Sequence, residues 1–202
     1  MKSRMAAMTV LALSLAFTAL AAVQKADQRP LAGKKIAILV ENFYQELELW
    51  YPYYRLMEEG AIVHLIGPKA ENYESKHGYP AKADLAAGDV NPADYDGVVI
   101  PGGYAPDYLR RSPEILNLVK SVYDKGGVVA AICHAAWVPI SAGIVKGKKA
   151  TCFWAIKDDL VNAGAVYLDQ GVVVDGGLVT SRTPSDLPVF LPAVIAALSK
   201  GR

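Results

Sequence analysis

Cys133 is the residue whose type and setting point most clearly to chemistry. It follows the apolar run 128–132, which predicts a buried strand, and it precedes a helix that is expected to begin at His134. A side chain at such a sharp turn is lifted into the crevice beyond the strand, and it needs small neighbours such as Ala131 and Ala135. The helix N-terminus would favour a thiolate. The alternative is an inert cysteine at the end of a core strand.

Two further segments are predicted to reach the same crevice. Gly102 and Gly103 follow the apolar run 97–100, and a glycine N–H there is placed to form an oxyanion hole with the N–H of His134. Glu48 lies one turn into the first predicted helix. A protonated carboxyl at that point would stabilise a thiolate and relay a proton. Taken singly, the glycines also fit an ordinary turn, and Glu48 also fits a solvated surface residue.

The predicted elements that must position these residues alternate between strands and helices, as in an α/β domain. Apolar runs predict strands, amphipathic runs predict helices, and one glycine-centred segment predicts a hairpin. Strands are expected at 36–40, 61–66, 97–100 and 128–132, helices at 45–59, 113–123, from 134, 155–162 and from 183, and the hairpin at 171–180. Alternating strands and helices imply a three-layer α/β sandwich, whose mostly parallel sheet has helices on both faces.

The size and charge of the chain favour one domain, 34–202, that acts on a small molecule or a peptide. The 202 residues include 21 basic and 20 acidic side chains, a balance that gives no indication of a nucleic-acid partner. His64 lies in an apolar strand and His77 in a polar loop, and neither has a metal-ligand spacing with Cys133. We therefore expect no metal and no cofactor.

The first 21 residues predict a cleavable signal peptide. Lys2 and Arg4 precede the uncharged run 5–23, and Ala19-Leu20-Ala21 supplies the small-x-small pattern of a cleavage site. The alternative is an uncleaved anchor, because the run approaches the roughly 20 residues that span a bilayer. Cleavage would give a periplasmic or secreted protein with a polar tether, 22–33, and no stable membrane insertion.

Export bears on the two cysteines of the sequence, Cys133 and Cys152. An oxidising compartment favours pairing them. A bridge would silence a nucleophilic Cys133, however, and a domain of this size does not need one. We therefore expect Cys152 to be a small buried hydrophobic residue.

The ordered series of motifs resembles the PfpI endopeptidase-like branch of the ThiJ/PfpI superfamily, which has a flavodoxin-like, class I glutamine amidotransferase-like fold. The resemblance covers nearly all of 34–200. Its landmarks include 48–56, 76–79, 91–92, 101–103, 132–134, 141–143, 156–159, 173–176 and 180–182. Such a series is specific for the fold and the family, and far less specific for the substrate.

The resemblance also implies roles for individual residues. Cys133 matches the family nucleophile, Glu48 the acid that hydrogen-bonds it, and His134 a proposed partner histidine. Asp107 matches an acid that a neighbouring subunit contributes, which implies a homo-oligomer, a dimer or a hexamer. Adjacent residues do not normally face each other, so a dyad of Cys133 and His134 depends on an unusual backbone at the turn. Asp107 has an alternative interpretation as an N-cap in the turn 105–107.

By this resemblance the chain is expected to be a cofactor-independent cysteine enzyme. It would be either a peptidase-like or amidase-like hydrolase, or a glyoxalase III-type or deglycase-like enzyme that acts on small reactive carbonyls. The alternative is a redox-sensing or stress-protective protein with an oxidisable Cys133. The sequence departs from the branch at Gln45, Tyr104, Phe153 and 135–136. These changes leave the nucleophile and its acid in place but alter the expected rim of the pocket.

Overall fold

The computed structural model describes residues 29–200. The predicted signal peptide, 1–21, and the first part of the tether, 22–28, lie outside the described residues. At the end of the predicted tether, Leu31 is fully buried, and its N–H donates to the carbonyl of Glu59 at 3.0 Å. The packed core therefore already includes Leu31. Within 29–200, no helix is both long enough and apolar enough to cross a membrane.

Eleven strands and six α-helices make up the described part of the chain. The strands are β1 (Lys35–Leu39), β2 (Ile62–Gly67), β3 (Asn72–Glu74), β4 (Pro80–Lys82), β5 (Leu85–Ala86), β6 (Gly97–Ile100), β7 (Val128–Ile132), β8 (Lys149–Ala150), β9 (Val166–Tyr167), β10 (Val172–Asp175) and β11 (Leu178–Ser181). The helices are α1 (Glu46–Glu58), α2 (Ala105–Leu109), α3 (Pro113–Asp124), α4 (Trp137–Ser141), α5 (Lys157–Asn162) and α6 (Leu187–Ser199).

One seven-stranded sheet forms the centre of the fold, in the order β10-β11-β7-β6-β1-β2-β5. The hairpin pair β10 and β11 is antiparallel, and the other neighbours in this sheet are parallel. The pairs β3–β4 and β8–β9 form two small separate sheets. Since β1, β6 and β7 are parallel neighbours, the segments that follow them emerge at the same edge of the sheet, where open α/β sheets bind ligands.

The central strands are buried on both faces, which explains why the sequence shows continuous apolar runs there. Every residue of β6 and β7 is buried, as are the last four of β1. Such burial requires cover from both sides of the sheet. Helices α1 and α6 contact each other, while α3 contacts α4 and α4 contacts α2. The predicted α/β sandwich and its mostly parallel sheet are confirmed.

The predicted strands lie within one residue of the observed ones, and the predicted helices differ mainly at their starts. The sequence did not predict the short elements β3, β4, β5, α2, β8 and β9. The segment after β7 begins as a 3-10 turn, Cys133–Ala136, rather than as the α-helix expected from His134. The last helix is likewise preceded by a 3-10 turn, Pro184–Asp186, with Thr183 at its N-cap. Proline has no N–H to donate, so it is tolerated at the start of a helical turn, where no intrahelical partner is needed.

Candidate active site

The Cys133 turn has the backbone of a nucleophile elbow. Cys133 has φ +63°, in the left-handed region that non-glycine residues rarely occupy. The neighbours Ala131, Ala135 and Ala136 are at most 2% exposed, so larger side chains would have no room there. The N–H of Phe153 donates to the Cys133 carbonyl at 3.1 Å and holds the turn from outside. Strained backbone of this kind is maintained by such surrounding contacts and is common at functional sites.

Glu48 is fully buried beside this turn, contrary to the solvated alternative for that residue. The side chain of Gln45 caps α1 by accepting a hydrogen bond from the Glu48 N–H at 2.9 Å, so the helix start fixes the position of Glu48. The Glu48 Oε2 atom accepts the N–H of Gly102 at 2.7 Å, whereas Oε1 has no hydrogen bond of ordinary geometry. The thiol of Cys133 is the polar neighbour that interacts with this carboxyl.

Gly102 separates the acid from the cysteine and shows how tightly they are packed. A Cβ atom at this position would fall 2.7 Å from the Cβ of Cys133 and 2.7 Å from the Oε2 of Glu48. Both distances are too short for any side chain. The absence of a side chain at Gly102 is therefore what allows Glu48 and Cys133 to flank the same peptide.

The Glu48 carboxyl and the Cys133 thiol are electrostatically coupled. Burial raises the pKa of Glu48 to about 8, although the Gly102 N–H and the Cys133 side chain act to lower it. Burial, and then the charge of an ionised Glu48, raise the pKa of Cys133. Because the groups are coupled, their first proton leaves from the pair as a unit. If it leaves from the thiol, Glu48 stays neutral, the repulsion vanishes, and the carboxyl can donate a hydrogen bond to the thiolate.

Backbone N–H groups favour the charge on sulfur. The N–H groups of His134 and Gly103 both interact with the Cys133 sulfur and lower its pKa. Two of the predicted oxyanion donors, Gly103 and His134, thus converge on the Cys133 sulfur. The N–H of Gly102, the other candidate donor, is engaged by Glu48 instead. Any oxygen that develops next to the sulfur would therefore meet Gly103 and His134 first.

The unusual elbow backbone also brings two sequential side chains together. The Nδ1 of His134 lies 3.3 Å from the Sγ of Cys133. The imidazole centroid lies 4.6 Å from that of the tilted Phe153 ring and 5.4 Å from that of Trp137. Burial and then the charge of Lys76 lower the pKa of His134, so the ring is neutral at pH 7 and can accept a proton.

These groups line a crevice of about 390 Å³, which is large enough for a small molecule. Its walls include four of the predicted site residues and three of the side chains at which the sequence departs from the family pattern. The lining residues are Gln45, Glu48, Lys76, Gly103, Tyr104, Cys133, His134, Phe153 and Pro184. Sequence reasoning overlooked Lys76 and Pro184 as pocket residues. The motif 76–79 lies in the loop that contributes Lys76, but within that loop only His77 was considered as a candidate site residue.

Asp107 does not line this crevice within the chain. It lies inside the short helix α2, where it forms an ion pair with Arg111. The expectation that Asp107 is an N-cap is wrong, because Tyr104 occupies that position and the N–H of Asp107 donates to the Tyr104 carbonyl at 3.0 Å. The helix α2 therefore begins three residues earlier than an N-cap at Asp107 would require. A role for Asp107 in a neighbouring subunit stays a prediction.

The remaining candidates have structural partners. The His64 Nδ1 lies 2.9 Å from the hydroxyl of Tyr95, as expected of a satisfied histidine. The His77 Nδ1 lies 2.8 Å from Glu46 Oε1, outside the Cys133 crevice. Cys152 is free and 1% exposed, as a small buried hydrophobic residue would be. Within the described range, no group of three or more potential ligands is placed to hold a metal.

Comparisons with known proteins identify the family. The sequence model of the DJ-1/PfpI family matches residues 34–197. "Deglycase PfpI" of Pyrococcus furiosus is 40% identical over 164 residues, which make up 81% of this chain and 99% of the relative. A Bacillus subtilis relative, YraA, whose name assigns it provisionally to the cysteine proteases, is 40% identical over 159 residues, 78% of this chain and 94% of the relative.

Solved structures agree on the fold. Drosophila melanogaster DJ-1beta superposes with a TM-score of 0.78 at 28% identity, covering 84% of this chain and 92% of that one. A two-domain protein of Anabaena variabilis, with DJ-1/ThiJ/PfpI-like and ferritin-like domains, gives a TM-score of 0.80 at 41% identity. The match covers 82% of this chain and 48% of that one, so this chain spans about half of that protein.

Proposed function

We propose that this chain, which belongs to the DJ-1/PfpI family, is a cysteine-dependent enzyme of the deglycase or glyoxalase type that acts on small reactive carbonyls. The observation that carries the proposal is the buried pair of Glu48 and Cys133 on either side of Gly102. A carboxyl whose pKa is raised to about 8 can give up and take back a proton near neutral pH, as carbonyl chemistry requires. The names of the Pyrococcus relatives point to the same substrate class.

The first step would be an addition. The Cys133 thiolate attacks the aldehyde carbon of a 2-oxoaldehyde, the π electrons of the carbonyl move to oxygen, and that oxygen takes the proton of Glu48. In the deglycase form the same carbon carries an amine and a hydroxyl. The sulfur then displaces the amine, which leaves with the Glu48 proton. Both routes give a hemithioacetal.

The second step would use the carboxylate that the first step leaves. Glu48 removes the hydrogen on the sulfur-bearing carbon, and the bonding pair passes toward the neighbouring carbonyl to form an enediolate. The oxygen of that carbonyl takes the proton of the hydroxyl on the sulfur-bearing carbon. Return of the proton to the second carbon gives a thioester of a 2-hydroxy acid. Water then hydrolyses the thioester, which releases the acid and restores the Cys133 thiol. The N–H groups of Gly103 and His134 are placed to stabilise the oxygen charge in this hydrolysis.

The direct test is turnover of methylglyoxal and of its early adduct with an amino acid, with the 2-hydroxy acid measured as the product. We expect the wild-type protein to form lactate and Cys133→Ser to form none. Mass spectrometry after treatment with mild peroxide tests the redox-sensing alternative. If Cys133 becomes a sulfinate while no carbonyl substrate is turned over, the redox-sensing alternative would replace this proposal.

A peptidase-like or amidase-like activity is the second candidate, and the 3.3 Å contact between His134 Nδ1 and Cys133 Sγ favours it. In that reaction, a neutral His134 takes the thiol proton, sulfur attacks an amide carbon, and water releases the acyl group. His134→Ala would then abolish amide hydrolysis. In the carbonyl reaction, where Glu48 moves the protons, the same substitution should reduce turnover far less.

We further propose export and self-association. Lys2, Arg4, the uncharged run 5–23 and the cleavage pattern at 19–21 support removal of a signal peptide. N-terminal sequencing of the protein from the cell envelope tests this, and an intact residue 1 would refute cleavage. Asp107 of a second copy would reach the crevice only in an oligomer. Sedimentation of wild type beside an Asp107→Asn variant, with activity measured on both, tests that assignment.

A further inference from the structure

Lys76 is a crevice residue whose position is fixed by the backbone. It follows β3 in the β3–β4 turn, and its N–H donates to the Tyr44 carbonyl at 3.0 Å. Tyr44 in turn forms β-bridges with Ser75 and with Gly103, the residue whose N–H interacts with the Cys133 sulfur. These backbone hydrogen bonds therefore fix the position of the Lys76 backbone relative to the Cys133 sulfur.

The ammonium of Lys76 is a positive charge without a carboxylate partner. Across residues 29–200, no carboxylate lies within ion-pair distance of its Nζ, whose recorded contact is the ring of Tyr104 at 5.9 Å from the centroid. Its charge acts on both Glu48 and His134. Of the residues that line the crevice, Lys76 is the one that is cationic at neutral pH.

The other titratable groups of the crevice do not cancel this charge before the reaction begins. Burial keeps Glu48 protonated below about pH 8, and His134 is neutral. Tyr104, Phe153 and Gln45 add rings and an amide but no charge. A neutral substrate would leave the ammonium unpaired beside it, whereas an anionic one would pair with it.

We propose that Lys76 forms an anion subsite in the Cys133 crevice, and that the preferred substrates carry a carboxylate or phosphate near the electrophilic carbon. This inference rests on the proposed function and narrows its substrate class to anionic carbonyl compounds or adducts. Lys76 is then a specificity-determining residue, which binds the substrate without moving protons. A neutral 2-oxoaldehyde would still react, but it would bind in the crevice with lower affinity.

Two alkylating agents of nearly equal shape and different charge test the subsite without any turnover. Iodoacetate is anionic and iodoacetamide is neutral. With both, the Cys133 sulfur forms a C–S bond while the C–I bond breaks and iodide leaves with the bonding pair. The ratio of the two alkylation rates at Cys133, read by peptide mass spectrometry, cancels any change in the thiolate itself and isolates recognition of the anion.

We expect the ratio of iodoacetate to iodoacetamide rates to fall about fivefold in Lys76→Met, since a partly solvated charge contributes modestly. Lys76→Arg should keep the wild-type ratio. Lys82→Met removes an exposed lysine of β4 outside the crevice and should also keep it. An unchanged ratio in Lys76→Met, or an equal fall in Lys82→Met, would overturn the subsite.

Separate measurements identify the bound anion and test the proposed enzyme activity. Protection of Cys133 from iodoacetamide by acetate or by inorganic phosphate, each lost in Lys76→Met, distinguishes a carboxylate from a phosphate subsite. Protection by neither anion would count against the subsite. If the ratio changes as expected but no carbonyl substrate is turned over by the wild type, the enzyme proposal fails and the anion subsite stands.

Discussion

The two cysteines of this chain are both buried, but different groups surround their sulfur atoms. Cys133 is 7% exposed and Cys152 is 1% exposed, and the pKa of each thiol is raised to about 12, first by burial. The second cause is a carboxylate in both cases, Glu48 for Cys133 and Asp159 for Cys152. Burial and a nearby carboxylate therefore disfavour the thiolate at both positions.

The difference lies in what can offset that burial. At Cys133 the N–H groups of Gly103 and His134 favour the thiolate, and the neighbouring carboxyl is buried enough to be neutral. At Cys152 no group acts to lower the pKa. Under the proposed function, the protonatable Glu48 and the two backbone donors, rather than exposure, would distinguish Cys133 from the packing residue Cys152.

The largest expected effect is the difference in turnover between the two variants that each lack one cysteine sulfur. Cys133→Ala should lower carbonyl turnover by at least about 10⁴-fold, because the covalent intermediate cannot form. Cys152→Ala should keep turnover near wild type and lose roughly 1–2 kcal/mol of stability through lost packing. Steady-state rates and urea denaturation of both variants check this. Equal losses of turnover would remove the distinction between the two thiols.

Glu48→Gln should lower turnover by about 10³-fold, because the amide cannot carry the proton between the two steps. Glu46→Gln is the matched control on the same helix, since Glu46 pairs with Ser75 and His77 outside the crevice. The pH profile gives a second readout. The wild-type profile should contain the ionisation of the coupled pair, and the Glu48→Gln profile should lack it. Wild-type turnover in Glu48→Gln would rule Glu48 out as the proton carrier.

Gly102→Ala should lower turnover by about 10²-fold, because the new methyl group has to push Cys133 and Glu48 apart. Gly88→Ala is the control, since a Cβ there would meet only the side chain of Glu114, at an ordinary 3.7 Å. Turnover and thermal melting of both variants separate a displaced site from a destabilised fold. Normal turnover in Gly102→Ala would mean that the spacing of the pair is not important.

The smallest expected effect is on stability. The pKa of Glu48 is raised in the folded state, from 4.5 to about 8, so between these values the folded protein holds a proton that the unfolded chain has lost. The free energy of unfolding should therefore fall as pH rises from 5 to 8, by at most about 1.4 kcal/mol per pH unit. Glu48→Gln should remove this contribution to the slope, whereas Glu46→Gln should retain it. Urea denaturation at pH 5 and 7.5 measures both, and an unchanged slope in Glu48→Gln would assign it to another group.

The sequence predicted the fold well because burial on both faces leaves an unmistakable pattern. The runs that became β1, β6 and β7 are continuous and apolar, and the glycine-centred segment 171–180 became the β10–β11 hairpin. The short pairs β3–β4 and β8–β9 carry too few residues for a periodic signal. They become visible only when the structure shows which segments pair.

Within the site, the sequence predicted which residues take part but not the hydrogen bonds and contacts that they make. Glu48 and Cys133 were singled out, yet the use of the Gly102 N–H by Glu48 is a three-dimensional contact across 54 positions. Lys76 was missed for the same reason, since a lysine in a polar loop has no local signature. The approach of His134 to its neighbour depends on the positive φ of Cys133, which no side-chain pattern specifies.

The measurement that tests the central claim most directly is the rate of iodoacetamide alkylation at Cys133 and at Cys152 in one native sample, from pH 5 to 10. At pH 7.5 Cys133 should react at least about 100-fold faster than Cys152. Its profile should show an ionisation of the coupled pair at about pH 8, and Glu48→Gln should shift that ionisation, because the thiol then ionises without a neighbouring carboxyl. Equal rates at the two thiols, or a Cys133 profile that Glu48→Gln leaves unchanged, would contradict the central claim.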